Sequence, residues 1–261
     1  MTSRLRFGTP RPPRSLAPEV PVALVYDGAT MAVMMASPMD AVDFAYGFSA
    51  SEGICAVEDI AEVEPVEEAG GLDLRIWLRP GAQLRQSLAR QMRPGPVGCG
   101  ICGRESLAEA LRDLPPLPDT GFALSADGVL QAVQDLPALQ LHHQATRAMH
   151  AAAFWDGTEL TTLREDVGRH NALDKLAGAL LRQGTDLRRG AVLMTSRISV
   201  DLVQKAVALR VPVLIGLSAA TEGAVARARS LGLTLIANAG AEGFDLFSAP
   251  ERVKGEFSHV S

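Results

Sequence analysis

The chain is poor in the features that mark several large classes of protein. Aromatic residues are only 5% of its 261 positions, which argues against a base-stacking platform for single-stranded nucleic acid. It has no excess of basic residues: 25 Lys and Arg stand against 30 Asp and Glu. The resulting net charge of -5 removes the broad basic face that nucleic-acid binding needs. No apolar run reaches the roughly 18 residues of a membrane span, so no membrane insertion is expected. Residues 1–18 hold four prolines and four arginines but no apolar secretory core. They are expected to form a flexible tail on a cytoplasmic chain. Three cysteines are too few, and odd in number, for a disulfide framework. Neither a P-loop nor a G-x-G-x-x-G fingerprint occurs.

What remains is an ordinary globular composition, 47% hydrophobic and 21% charged. Its length suits one main domain plus a subdomain. Val22–Tyr26 and Met31–Met35 flank Asp27-Gly28, a hairpin pattern. The methionines at 31, 34, 35 and 39 read as strand and core packing. Asp40–Glu52 has helical spacing stopped by Gly53, and Leu72–Leu78 alternates as a strand. Further helices are expected at 82–92 and 105–114, with Pro115, Pro116 and Pro118 as a boundary. Residues 19–118 thus form a small N-terminal α+β subdomain ending in a cysteine loop, 93–103. Across 119–261, short apolar strands at 191–194, 213–215 and 233–237 alternate with helices at 200–210 and 222–231. That pattern places helices on the faces of a sheet whose strand ends bind ligands.

Cys99 and Cys102 stand three apart among five glycines and prolines, with Arg104 and a predicted helix start just beyond. Cations and helix N-termini lower a thiol pKa, and flanking glycines leave sulfur open to a partner, so the pair suits sulfur or electron transfer. Half of a zinc site and a thioredoxin-like centre are the rival readings. The first lacks a second pair; the second lacks a preceding strand in a βαβ unit. No resident metal is expected. Cys55 reads as a small half-buried apolar residue. In Arg164–Lys175, Asn171 can cap a helix, with Asp174 in its first turn. Arg169, His170 and Asn171 would then gather at a helix N-terminus, an anion-binding arrangement, against the alternative of a solvated helix entry. Ser196, Arg197 and Ser199 occupy a strand-to-helix turn, and Ser218 a similar turn after the next strand. His150 reads as structural, His142 and His143 as surface residues.

Taken together, Val97–Gly103, Glu165–Lys175, Ser196–Ser199 with Val203–Ala206, and Pro212 to Ser218 resemble the FdhD family of formate dehydrogenase accessory sulfurtransferases. The resemblance covers most of residues 20–255. It implies a cytidine deaminase-like three-layer C-terminal domain in an α/β protein with an N-terminal α+β subdomain. It implies a persulfide on Cys99, assisted by Cys102, taken from a cysteine desulfurase. The sulfur would pass to a bis-molybdopterin guanine dinucleotide, the molybdenum cofactor, bound as substrate and destined for formate dehydrogenase. A homodimer is the family expectation. The family's cofactor-contacting stretch matches Asn238, Ala239, Gly240, Ala241, Glu242 and Gly243. The family's usual aromatic residue and arginines are missing there.

Deamination itself is disfavoured. Zinc deaminases place a Glu two residues after a ligating His, and here Ala152 follows His150 at that spacing. Two other activities compete with sulfur transfer: an escort that carries the cofactor without handling sulfur, and a dithiol oxidoreductase.

Overall fold

The computed structural model of the chain describes residues 14–82, 84 and 111–258. Strands β1 (Val20–Tyr26) and β2 (Ala29–Ala36) pair antiparallel across Asp27-Gly28, as the sequence predicts. Both turn residues have positive φ, 45° and 83°, which the tight hairpin turn demands. Helix α1 (Ala41–Ser51) follows within the expected bounds. Strand β3 (Ile60–Glu68) was not anticipated, because IAEVEPVEE is rich in Glu and contains Pro65. It lies at a sheet edge, paired only with β4 (Gly71–Leu78), where charge and Pro are tolerated and guard against further pairing. The order is β2-β1-β4-β3, with β1 and β4 parallel. Val22, Leu24, Tyr26, Leu72, Leu74 and Ile76 form one buried cluster with Phe44, Ala45 and Phe48 of α1. Met31 and Cys55 belong to the same core, and Met34 packs against it.

A second unit begins with the short β5 (Leu124–Ser125), α2 (Ala126–Leu139) and α3 (Leu141–Thr146). The chain then runs β6 (His150–Trp155), β7 (Leu160–Asp166), α4 (Arg169–Arg182), β8 (Ala191–Met194) and α5 (Val200–Ala208). It closes with β9 (Val213–Gly216), α6 (Glu222–Leu231), β10 (Thr234–Gly240), β11 (Gly243–Ser248) and β12 (Val253–Lys254). Six strands form one sheet in the order β11-β10-β9-β8-β6-β7, with β8, β9 and β10 parallel. Helices α4, α5 and α6 cover one face; α2 covers the other. The protein is therefore a mixed α/β structure. The expected helices at 82–92 and 105–114 lie outside the described residues, except for Ala82, Leu84 and 111–114, which are not helical.

Helix α1 joins the two units by crossing α4 at very close range. A Cβ on Gly47 would lie 1.7 Å from the carbonyl oxygen of Asp174, and one on Gly178 1.8 Å from that of Asp43. Backbone meets backbone here, so no side chain can yield. Gly178→Ala should therefore cost about 3 kcal/mol or more in urea unfolding, as overpacking of a rigid contact does. A loss below about 0.5 kcal/mol, within the range of ordinary surface changes, would show the crossing to be looser than described.

Candidate functional site

Strands β7, β8, β9 and β10 all end at one edge of the six-stranded sheet. Leu217 N donates to Met194 O (2.9 Å), Ile198 N to Ala219 O (3.0 Å), Thr221 N to Ile198 O (3.0 Å) and Asn238 N to Ser218 O (3.0 Å). These bonds lace the turns after β8, β9 and β10 into one continuous rim. The turn after β8 also meets the start of β6, where Thr195 N donates to Ala151 O (3.1 Å). His150 opens β6 opposite Asp166, the last residue of β7, so the start of α4 reaches the same rim. Helices α4, α5 and α6 thus begin there together. Thr221 caps α6 by accepting from Ala224 N (3.2 Å), but α4 and α5 have no side-chain cap. Helix N-termini in general carry backbone donors and a partial positive charge that suit an anion.

The sequence-derived residues divide between this rim and the interior. Arg197 is exposed, Ser196 is buried with its Oγ donating to Arg197 O (3.1 Å), and Ser199 N-caps α5 in position only. Ser199 Oγ and His170 Nε2 are both buried and make no hydrogen bond. Ser218 is half-buried, and Asn238 is exposed with φ 52°, its amide donating to Asp245 Oδ2 (2.7 Å). Ala239 is buried and Gly240 half-buried; Ala241 and Glu242 are exposed, and Gly243 starts β11 half-buried. Arg169 and His170 form the first turn of α4. The expectation that Asn171 caps this helix is corrected: the helix starts at Arg169 with Gly168 as N-cap. Asn171 is only 2% exposed, and its amide donates to Asp166 Oδ1 (3.0 Å) and Met35 O (2.9 Å). It lies inside the fold because α4 begins three residues earlier than the capping pattern suggested. Cys99 and Cys102 lie outside the described residues.

Beneath the rim lies a buried polar network that the sequence did not announce. Lys175 Nζ meets Asp166 Oδ2 at 2.6 Å, both side chains fully buried, and donates to Ser37 O (2.8 Å). Asp166 also accepts from Ser37 N (3.0 Å) and Gly168 N (2.7 Å). Glu165 accepts from His142 N (2.8 Å) and His143 N (2.7 Å), so it caps α3. Lys205 bridges Asp174 (2.8 Å), Glu52 (2.7 Å) and Ser51 Oγ (2.9 Å). Burial works against the Lys205 charge, but Asp174 and then Glu52 outweigh it and hold its pKa above the ordinary value. The signal that could have found this network is lysine usage. Lys occurs only at 175, 205 and 254, against 22 arginines, and the first two are the buried ones.

His170 sits over this network. Burial first, then the charges of Lys205 and Arg169, push its imidazole down to about 3, so it is neutral at physiological pH. His150 is held below its ordinary value by burial, then by Arg169 and His143. Cys55 is buried, and burial pushes its thiol up to about 11, so it is no nucleophile at neutral pH. Among the described residues no group of three or more His, Cys, Asp or Glu could hold a metal. No described helix is long and apolar enough to cross a membrane.

A sequence model described as the FdhD/NarQ family matches residues 17–254 of this chain. The chain belongs to the FdhD/NarQ family. It is 43% identical over 252 residues to the sulfur carrier protein FdhD of Agrobacterium fabrum, covering 95% of this chain and 93% of that one. It is 44% identical over 244 residues to the protein of that name from Variovorax paradoxus, covering 92% and 87%. Its fold is similar to that of a formate dehydrogenase accessory protein from Desulfotalea psychrophila. There the TM-score is 0.73 at 24% identity, over 92% of this chain and 90% of that one.

A neutral His170 has a consequence for stability. Between its unfolded pKa of about 6.5 and its folded value of about 3, the unfolded chain takes up a proton that the folded site refuses. His170 therefore makes stability rise with pH through that window, by at most about 1.4 kcal/mol per unit, and adds no slope above it. His170→Gln removes the titration. In urea unfolding between pH 7 and 4.5, the wild type should lose stability relative to this variant as pH falls. A difference independent of pH would show that the imidazole titrates normally.

Proposed function

We propose that this chain is the sulfur carrier of a formate dehydrogenase system, moving sulfur from a cysteine desulfurase to a bis-molybdopterin guanine dinucleotide. In this reading the Cys99 thiolate attacks the outer sulfur of a persulfide on the desulfurase. The S–S bond breaks, the desulfurase cysteine leaves as a thiolate, and Cys99 carries the persulfide. Delivery follows when Cys102 attacks the Cys99 sulfur. Hydrosulfide leaves with the bonding electron pair toward molybdenum, a Cys99–Cys102 disulfide forms, and a cellular dithiol reduces it again. The protein supplies position and charge, while the metal and its ligands supply the remaining chemistry.

One observation supports this above the others: a chain of this family gathers three helix N-termini on a single rim, two of them uncapped by side chains. Phosphate groups are stabilised at such termini. Arg169, Arg197, Ser199, Ser218 and the 238–243 turn would line the phosphates and bases of the dinucleotide. Helices on both faces of a sheet with parallel β8, β9 and β10 support a cytidine deaminase-like arrangement for the second unit. A homodimer working in the cytoplasm with apo-formate dehydrogenase completes the reading.

The test is sulfur transfer by Cys99→Ala. Label from the desulfurase should no longer reach the protein, and formate dehydrogenase matured with this variant should lose nearly all activity. A variant with Cys99 and Cys102 both replaced that still matures formate dehydrogenase would make the chain an escort instead.

A further inference from the structure

Two polar side chains at the rim hold a buried atom and make no hydrogen bond. His170 stands in the first turn of α4 with its Nε2 buried, and Ser199 stands at the N-cap of α5 with its Oγ buried. The other buried side-chain atoms without a hydrogen bond, among the described residues, are Nε atoms of arginines that other contacts hold. A buried polar group left unpaired costs stability, so orphans of this kind call for a partner. Neither atom serves the fold: Ser199 does not cap its own helix, and α4 bonds to the first unit through Asn171 and Lys175 instead. Both helices pack into one cluster on the same face of the sheet, and the Lys205 charge of α5 acts on His170, so the two helix starts are neighbours.

The chemistry of the pair selects its partner. Both side chains are uncharged, since burial, Lys205 and Arg169 keep the imidazole neutral against the weaker pull of Glu52. The field at His170 is therefore positive, which favours acceptors over donors. The lysines beneath are already matched, Lys175 by Asp166 and Lys205 by Asp174 and Glu52, so neither is spare for the full charge of a phosphate. A phosphate is better served where Arg197 stands exposed. Two neutral donors in a positive field suit a neutral group with two adjacent acceptors. One edge of guanine has that pattern, O6 beside N7, whereas adenine puts a donating amino group in place of O6. A neutral imidazole carries its one proton on Nε2 when an acceptor faces it, and a hydroxyl rotates to suit. We infer that His170 and Ser199 select guanine: His170 Nε2–H and Ser199 Oγ–H donate to the O6 and N7 pair of the base. This deepens the sulfur-carrier reading and rests on it, because that reading supplies the guanine dinucleotide.

The experiment is calorimetry of guanosine, inosine and adenosine diphosphate on full-length wild type, His170→Leu, His170→Gln and Ser199→Ala. Inosine keeps O6 and N7 and lacks only the 2-amino group of guanosine. On wild type, inosine diphosphate should bind within about threefold of guanosine diphosphate and adenosine diphosphate about tenfold or more weakly, since a paired contact to one base edge discriminates by about five- to 150-fold. His170→Leu should weaken guanosine and inosine diphosphate by about tenfold and leave adenosine diphosphate within about twofold, so the preference collapses. Ser199→Ala should show the same pattern with a loss of about fivefold. His170→Gln, whose amide still donates, should retain most of the preference. A preference that neither His170→Leu nor Ser199→Ala reduces overturns the inference. So do equal losses for all three nucleotides, which would make the two residues supports of the rim at large. So does inosine diphosphate binding as weakly as adenosine diphosphate, which would move recognition to the 2-amino group. Ser199→Ala removes a hydroxyl that bonds nothing in the fold, so the same outcomes are read from it should His170→Leu fail to fold. A wild type that binds none of the three would sink the guanine-dinucleotide part of the sulfur-carrier reading, and this inference with it.

Discussion

A fully buried ammonium, Lys175, decides how the two units of this protein meet. Its charge is matched by Asp166 at 2.6 Å, and the pair is closed by the backbone of Ser37, which donates its N–H to the carboxylate and offers its carbonyl to the ammonium. Ser37 belongs to the first unit and the ion pair to the second. Pulling the units apart would strip the Ser37 N–H from the carboxylate and the Ser37 carbonyl from the ammonium. Removing one partner of such a pair costs about 3–5 kcal/mol, although a well-packed apolar substitute for the whole pair need not. The pair therefore specifies a relative placement more than it adds stability. The crossing of α1 over α4 at Gly47 and Gly178 depends on that placement, since its backbone contact admits no adjustment.

The same placement prepares the rim. Asp166 accepts from Gly168 N and Asn171 Nδ2, which fixes the first turn of α4 from below. Arg164 forks onto Asp43 of α1 through Nε (2.9 Å) and Nη2 (2.8 Å), tying β7 to the other unit. With Glu165 holding α3, three consecutive residues of the motif serve three different elements. The first turn itself, Arg169 and His170, is the part of this stretch that stands at the rim. A dense motif need not mean that every residue in it touches substrate. Most of this one supports the few that stand at the rim, as a site held within a fraction of an ångström requires.

The sequence showed the hairpin, α1, β4 and the alternating β8-α5-β9-α6-β10 run, because each has a clear period and turn residues that match its geometry. It did not show β3, whose glutamates and Pro65 hide an edge strand, nor β6, where His150 and three alanines carry too little pattern to name a strand. The rim was legible as a set of separate turns at Ser196–Ser199, Ser218 and Asn238. That they join into one edge follows from strand order, which periodicity does not encode. The cap was misplaced by three residues for a related reason: an Asn before an apolar run looks like a cap, and the true partners of Asn171, Asp166 and Met35, include one 136 residues away in sequence.

The choice of lysine at 175 and 205 follows from the shape of the two sites. An ammonium is a compact charge with three donors on a flexible stem, and a guanidinium is a wide planar fork. Lys205 meets oxygens of Asp174, Glu52 and Ser51 that surround a single point, and Phe48 lies 5.4 Å from its nitrogen. A guanidinium would need that ring and α1 to move. Where the partner is one carboxylate approached from the side, as at Asp43, the chain uses arginines 164 and 182. In a protein that otherwise uses arginine almost throughout, the two buried lysines pair with Asp166, just before α4, and Asp174, in its second turn, and so hold the helix start in place at the rim.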